Sequence, residues 1–337
     1  MACFEGFECE RCLPIGETKT RTLMARRRAA AIAAPARAPS GIASRILWGF
    51  LIVVLLCILL LAGAAGFFTF RIVTERNESE NVTPASFLMT NYESLSFMDR
   101  DGGEHEGWLL RGLKGAPVII LCPAYDSNRS ELLSLGAVLQ ENHFNVYAFN
   151  FSGPKTKHSF SDLGEQQVDD LQAAIQTVTK QKDINPHRVG LYGATTGGYA
   201  ALVAAQRSPL VKAFVVDSIY EQPVEMFDAQ LDQLLGGPSG AFRSLAELEF
   251  RVSLGKKPSP IRDDLAKLGN VPKLFISGQD TPLLASITED LYRLAPQPKR
   301  LWVLQRGYTG QASGTEKKEY ENQVLTFFLQ SLPLRAD

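Results

Sequence analysis

Gly193-Ala194-Thr195-Thr196-Gly197-Gly198 is the stretch of this chain best suited to chemistry. It joins an apolar run, Val189-Gly190-Leu191-Tyr192, to an alanine-rich one running from Tyr199 to Ala205. Strand, glycine-flanked turn and helix together make a nucleophile elbow, in which G-x-S-x-G presents a serine hydroxyl at a sharp bend. Here Thr195 stands where the serine would be. Such a bend holds its central residue at positive φ, where a branched Cβ is strained. A secondary hydroxyl is also more hindered. Two uses of Thr195 stay open: an unconventional nucleophile, or a cap for a helix beginning at Thr196.

A hydroxyl nucleophile needs a base, and imidazole is the side chain that moves protons near neutral pH. The chain has four histidines, His105, His143, His158 and His187, and none follows the elbow. His143 and His187 each precede a strand, which puts them at the wrong end of a sheet. His105 lies in a hairpin. His158 alone follows a strand's carboxyl end, where it can overlook the elbow or stand in solvent. Cys9-Glu10-Arg11-Cys12 is a lone C-x-x-C with no second pair to complete a zinc site. It also lacks the βαβ context of a redox pair. No metal-ligand cluster and no phosphate-binding glycine loop stands out, so neither metal nor cofactor is expected. Cys122 is the one cysteine beyond residue 57, so the region around the elbow holds no internal disulfide.

These residues need a scaffold, and the pattern along the chain supplies one. A hairpin is predicted from Tyr92–Met98 and His105–Arg111 around Asp99-Arg100-Asp101-Gly102-Gly103. Strands follow at Pro117–Cys122, Phe144–Phe149, Arg188–Tyr192, Val211–Val216, Lys273–Ser277 and Arg300–Leu304. Helical periodicity separates them, at Ser130–Asn142, Asp162–Lys180, Thr196–Arg207, Pro223–Leu235, Ala241–Leu254, Leu283–Leu294 and Thr315–Leu332. Runs such as Val118-Ile119-Ile120-Leu121 lack polar alternation and suit a parallel sheet buried on both faces. The expected fold is α/β, a mostly parallel central sheet with helices on both faces and function at the carboxyl ends of its strands.

This order, with Gly-x-Thr-x-Gly-Gly after the fifth strand, resembles the α/β-hydrolase superfamily over residues 91–333. It looks most like single-domain serine hydrolases of the esterase and dipeptidyl-peptidase type. The resemblance implies a Ser-His-Asp triad, and the chain departs from it at several points. The nucleophile position is Thr195. The position of the family histidine, after the last strand, falls on Thr309 or Tyr308 within Gln305-Arg306-Gly307-Tyr308-Thr309-Gly310-Gln311. The acid position falls on Asp280, two residues after Gly278, where a turn or helix-cap role is an equal reading. The oxyanion region reads Pro123-Ala124 where many members have His-Gly. Backbone N–H groups of Tyr125 and Thr196 can still act as the two donors. The Pro223–Leu254 helical pair is either a lid over the pocket or ordinary core.

Ahead of this domain, Ile46–Phe70 is an uncharged run of 25 residues, enough to cross a bilayer. Lys19, Arg21, Arg26, Arg27, Arg28, Arg37 and Arg45 precede it, whereas Arg71 and Arg76 after it are diluted by Glu75, Glu78 and Glu80. The positive-inside rule then puts the N-terminus in the cytoplasm and the main domain outside. Residues 1–45 read as a disordered basic segment and residues 71–90 as a polar linker. Ala62-Gly63-Ala64 offers a cleavage site, but the run exceeds an ordinary signal-peptide core, which favours an uncleaved anchor. Met24 is an alternative start. A formal net charge of −1 gives no argument for nucleic acid.

The sequence thus points to a membrane-anchored pseudo-hydrolase that binds a small, ester-like ligand or a partner outside the membrane. Two alternatives stand beside it. One is an esterase, thioesterase or peptidase using Thr195 as nucleophile. The other is a scaffold acting through surfaces such as Pro223–Leu254.

Overall fold

The computed structural model describes residues 41–74, 82–87, 89–100, 102–151, 161–237, 240–255, 258–307 and 314–334. The chain divides into two compact units, one ending at Val53 and the other beginning at Val54. The described part of the first is helical and exposed. Apart from Gly41, its described residues belong to α1 (Ile42–Val73). Among the described residues this is the one helix long and apolar enough to cross a membrane.

Among the described residues the second unit has eight strands: β1 (Tyr92–Met98), β2 (Glu104–Leu110), β3 (Val118–Cys122), β4 (Asn145–Phe149), β5 (Val189–Ala194), β6 (Val211–Asp217), β7 (Lys273–Gly278) and β8 (Lys299–Leu304). Their order is β1-β2-β4-β3-β5-β6-β7-β8. β2 runs antiparallel to β1 and β4, and the remaining pairs are parallel. The helices are α2 (Leu133–Glu141), α3 (Glu165–Val178), α4 (Thr195–Arg207), α5 (Pro223–Leu235), α6 (Gly240–Leu254), α7 (Pro282–Leu294) and α8 (Gly314–Ser331).

Strand periodicity explains how the unbroken apolar runs fold. In β3, Val118, Ile120 and Cys122 join one core, while Ile119 and Leu121 join the other. β6 divides the same way, Phe214 and Val216 against Ala213 and Val215. Successive side chains point to opposite faces, so a strand covered on both sides must be apolar throughout. α3, α4 and the α5–α6 pair cover the first face, and α2 and α8 the second.

The helix that contains the apolar run 46–70 continues past it: α1 runs to Val73, with Ala65, Ile72 and Val73 inside the first core. The stretch read as linker, residues 71–90, also contains a 3-10 turn at Pro84–Phe87, and Val82 and Met89 pack on the second core. An apolar residue just past an isolated charge still contributes to a core when the domain meets it. The basic segment 1–40, with Cys9 and Cys12, lies outside the described residues.

Candidate functional site

Five parallel strands end on one cavity of about 250 Å3. Tyr125 follows β3, Thr195 follows β5, Ser218 follows β6, Asp280 follows β7 and Gly307 follows β8, and all five line it. β3 is flanked by β4 on one side and β5 on the other, so the winding reverses beside the elbow and opens a crevice there.

Thr195 has φ of +45°, so the elbow keeps its strained backbone in spite of the branched side chain. Such a residue costs about 1–3 kcal/mol. The strain is imposed by close backbone packing. A Cβ on Gly193 would lie 2.3 Å from the Gly197 carbonyl, and one on Gly197 would lie 2.4 Å from the Pro123 carbonyl oxygen. The capping use of Thr195 is not what forms. Thr195 is itself the first residue of α4, and Ala194 precedes it as a cap without a side-chain bond. The Thr195 hydroxyl instead accepts the Tyr125 backbone N–H at 2.8 Å. That N–H is one of the two donors expected of an oxyanion pocket. The other, on Thr196, lies in the first turn of α4, where backbone N–H groups lack helical partners.

Asp280 is exposed and lines the same cavity, its Oδ1 accepting the Gly307 N–H at 2.8 Å. It therefore ties the end of β7 to the loop after β8. Thr309 and Tyr308, the histidine position, lie outside the described residues, as does His158. The fold brings together Thr195, Tyr125 and Asp280. It keeps the other histidines away. His143 sits in a positive-φ turn before β4, and His187 in an exposed turn before β5. His105 does reach the carboxyl edge, because β2 runs antiparallel to β4. Three strand spacings, about 14 Å, separate β2 from β5.

The imidazole of His105 is stacked on Phe97 and bonded through Nε2 to Asp99 Oδ2 at 3.0 Å and through Nδ1 to the Asn150 carbonyl at 3.2 Å. Asp170 completes a buried group of three whose ligand atoms lie within 4.8 Å of one another. The sequence reading found no such cluster, because α3 supplies its third member from far along the chain. Both ring nitrogens are already bonded, which makes the group a structural tie between the hairpin and α3.

Asp217 was missed as well. It ends β6 with no exposure and accepts hydrogen bonds from Ser218 Oγ at 2.8 Å and Tyr320 Oη at 2.7 Å. Tyr192 and Tyr320 join their hydroxyls at 3.0 Å. A Cβ on Gly307 would lie 3.3 Å from Asp217 Oδ1, so this carboxylate underlies the loop after β8. A carboxylate closing the apolar run Ala213–Val216, beside the elbow strand, was the available signal.

The lining carries Asp126, Glu131 and Asp280 and, among the described residues, no basic side chain. α5 contributes Met226, Gln230 and Gln233, which follow helical spacing along one face. Phe227 of α5 stacks on Phe250 of α6 at 4.6 Å, so the helical pair serves both as pocket wall and as core. Its packing contains Asp228, whose carboxyl pKa is raised to about 6 by burial, with Glu247 and Asp232 adding repulsion and Arg243 opposing it. The folded state therefore holds a proton that the unfolded chain has released, and stability declines as pH rises from about 4 to about 6. Asp228→Asn is expected to stabilise the chain at pH 7 by about 1–2 kcal/mol, allowing for partial exposure, and to flatten this slope. Thermal unfolding in detergent micelles across pH 4–7 measures both effects.

The opening of the pocket is linked to α1. Tyr125, whose N–H meets Thr195, donates its phenol hydroxyl to the Ile72 carbonyl at 2.7 Å.

The prolyl oligopeptidase family matches residues 146–221, which include β5, the elbow and β6. The uncharacterized protein YfhR of Escherichia coli (strain K12) is 27% identical over 250 residues, 71% of this chain and 81% of that protein. The alpha/beta hydrolase domain-containing protein WAV2 of Arabidopsis thaliana is 25% identical over 209 residues, 60% of this chain and 65% of that protein. Among solved structures, the Pyrococcus furiosus esterase Pf2001 superposes with a TM-score of 0.58 at 18% identity, covering 77% of this chain and 98% of that one. A dienelactone hydrolase from Anabaena variabilis gives 0.53 at 18% identity, covering 72% and 99%. Strand order, elbow geometry and these likenesses agree: the chain carries the α/β-hydrolase fold, and in fold and in the elbow region it is similar to esterases and to the prolyl oligopeptidase family.

Proposed function

We propose that this chain is a membrane-anchored pseudo-hydrolase. Residues 46–70 cross the bilayer with the N-terminus in the cytoplasm, and residues 91–333 form an extracytoplasmic domain that binds a small ligand at the elbow. The observation that carries this reading is the state of Thr195. Its hydroxyl is occupied by the Tyr125 N–H, and no imidazole is found among the described residues lining the pocket. No histidine follows residue 187 anywhere in the sequence. Asp280, which would orient such a histidine, holds the Gly307 N–H instead. With Asp126, Glu131 and Asp280 on its walls, the pocket suits a neutral or cationic ligand better than an anionic one.

A second reading, a hydrolase using Thr195 as nucleophile, is favoured by one observation. The backbone at Thr195 keeps the positive φ that presents a nucleophile.

One experiment separates the two. Full-length protein in detergent micelles is treated with a fluorophosphonate probe and with activated esters. Wild type and Thr195→Ala are expected to give the same background. Thr195→Ser combined with Thr309→His is expected to gain turnover, because pocket and acid are retained. Wild-type labelling that disappears in Thr195→Ala would sink the pseudo-hydrolase reading.

A further inference from the structure

Thr69 on α1 is buried, yet its hydroxyl has no hydrogen-bond partner, and it lines a cavity of about 390 Å3 separate from the elbow pocket. That volume lies within the ~300–1,000 Å3 range of small-ligand sites. Gly66, Phe70 and Val73 of α1 and Leu254 of α6 give it apolar walls. Glu249 of α6 adds a second polar atom, Oε2, that is buried without a partner. The missing side chain at Gly66 makes the room, since a Cβ there would already lie 3.4 Å from that oxygen. A hydroxyl entering this space can donate to Glu249 Oε2 and accept from Thr69 Oγ1.

The rest of the site favours an uncharged head. No basic side chain lines the cavity among the described residues. A polar chamber of about 550 Å3 shares Asp162 and Leu254 with it, and the Arg207 in that chamber is held by Glu165 through two bonds of 2.9 Å. The chamber's other cation, Arg100, is paired with Asp169 at 3.5 Å, so both of its arginines already have carboxylate partners. The position favours a bilayer source. Twenty helical residues counted from Ile46 span about 30 Å, the thickness of the hydrocarbon layer, which sets Gly66–Val73 at headgroup level. Both helices expose large apolar side chains there: Phe67 and Phe70 are 62% and 55% exposed on α1, and Leu248 and Val252, with Arg251 between them, are 57% and 73% exposed on α6. Apolar helix faces beside a membrane span suit contact with lipid.

We propose that this cavity takes the acyl chain of a neutral monoacyl lipid from the bilayer, with head hydroxyls on Thr69 and Glu249. The inference rests on the membrane-anchor reading above and is independent of whether the elbow is catalytic.

The test uses the full chain in phosphatidylcholine nanodiscs with a monoacylglycerol carrying a terminal diazirine. After irradiation, adducts are expected on peptides covering residues 66–73 and 249–254. Gly66→Phe, which fills the cavity, is expected to lower the adducts on 249–254 by about tenfold. Thr69→Val keeps the shape, removes the hydroxyl, and is expected to lower labelling about threefold at sub-saturating probe. Adducts on residues 46–65 with none on 249–254 would discard the cavity and leave the anchor standing. No adducts on either region would discard the anchor and the cavity together. Labelling of both variants at the wild-type level would also overturn the proposal.

Discussion

Gly197→Ala is expected to cost about 3–5 kcal/mol and to dismantle the pocket. The added methyl would sit 2.4 Å from the Pro123 carbonyl oxygen and 2.6 Å from that of Cys122. Both obstacles are backbone at the end of a strand buried on both faces, so neither can rotate away. Relief requires moving α4 or the Pro123–Tyr125 turn, and either motion breaks the Tyr125 N–H bond to Thr195. Gly190→Ala provides the comparison. Its methyl would meet Leu332 Cδ1 and Phe328 Cε1 at 2.9 Å, which are side-chain ends able to shift. That variant is expected to cost about 1–2 kcal/mol. Denaturant midpoints of the two variants in the same detergent test the difference. Equal midpoints would show that the elbow is not held by backbone contact.

The same contrast explains what the sequence made legible. The glycines at 193, 197 and 198 mark a close approach of backbones, and the unbroken apolar strands mark a sheet covered on both faces. Both are local signals, and the fold follows from them. Thr195 was legible as the central residue of the elbow but not in its bonding, because its partner Tyr125 lies 70 residues away. The bonding of Asp217 was illegible for the same reason, although its place at the end of a strand was a signal. Its hydrogen bond to Tyr320 spans 103 residues, and nothing near β6 in the sequence announces a phenol from the last helix. The continuation of α1 beyond residue 70 was not legible, because Arg71 and the charges after it mask Ile72 and Val73, which belong to the domain core. Ile72 accepts the phenol hydroxyl of Tyr125, and the same turn of α1 walls the second cavity, so the end of α1 supports both cavities.

Alkaline pH is expected to unfold the domain steeply above about pH 10. Tyr147, Tyr199 and Tyr320 are buried, and burial raises the pKa of each phenol above its ordinary value of 10.0. For Tyr320 the neighbouring Asp217 carboxylate pushes the same way. Unfolded chains release these protons near pH 10 and the folded domain keeps them, so stability is complete below pH 10 and is lost as pH rises. Each phenol contributes about 1.4 kcal/mol per pH unit, and three together about 4. Cys122, also raised by burial, starts the decline from about pH 9. Lys273 opposes it: buried at the start of β7 and paired in register with Lys299 of β8, its ammonium is lowered to about 8, so it adds stability as pH rises from there to about 10.5. The thiol and the lysine largely offset one another near pH 9, which leaves the phenols to decide. The expected curve is flat to about pH 10 and then falls within one to two units. Tyr320→Phe is expected to reduce the alkaline slope by about a third and to cost about 1–3 kcal/mol at pH 8, because Asp217 loses a buried donor. Phenolate absorbance followed alongside circular dichroism distinguishes the alternatives. Phenol titration completed near pH 10 with the helices intact would mean that these tyrosines reach solvent, and the network beneath the pocket would then be open.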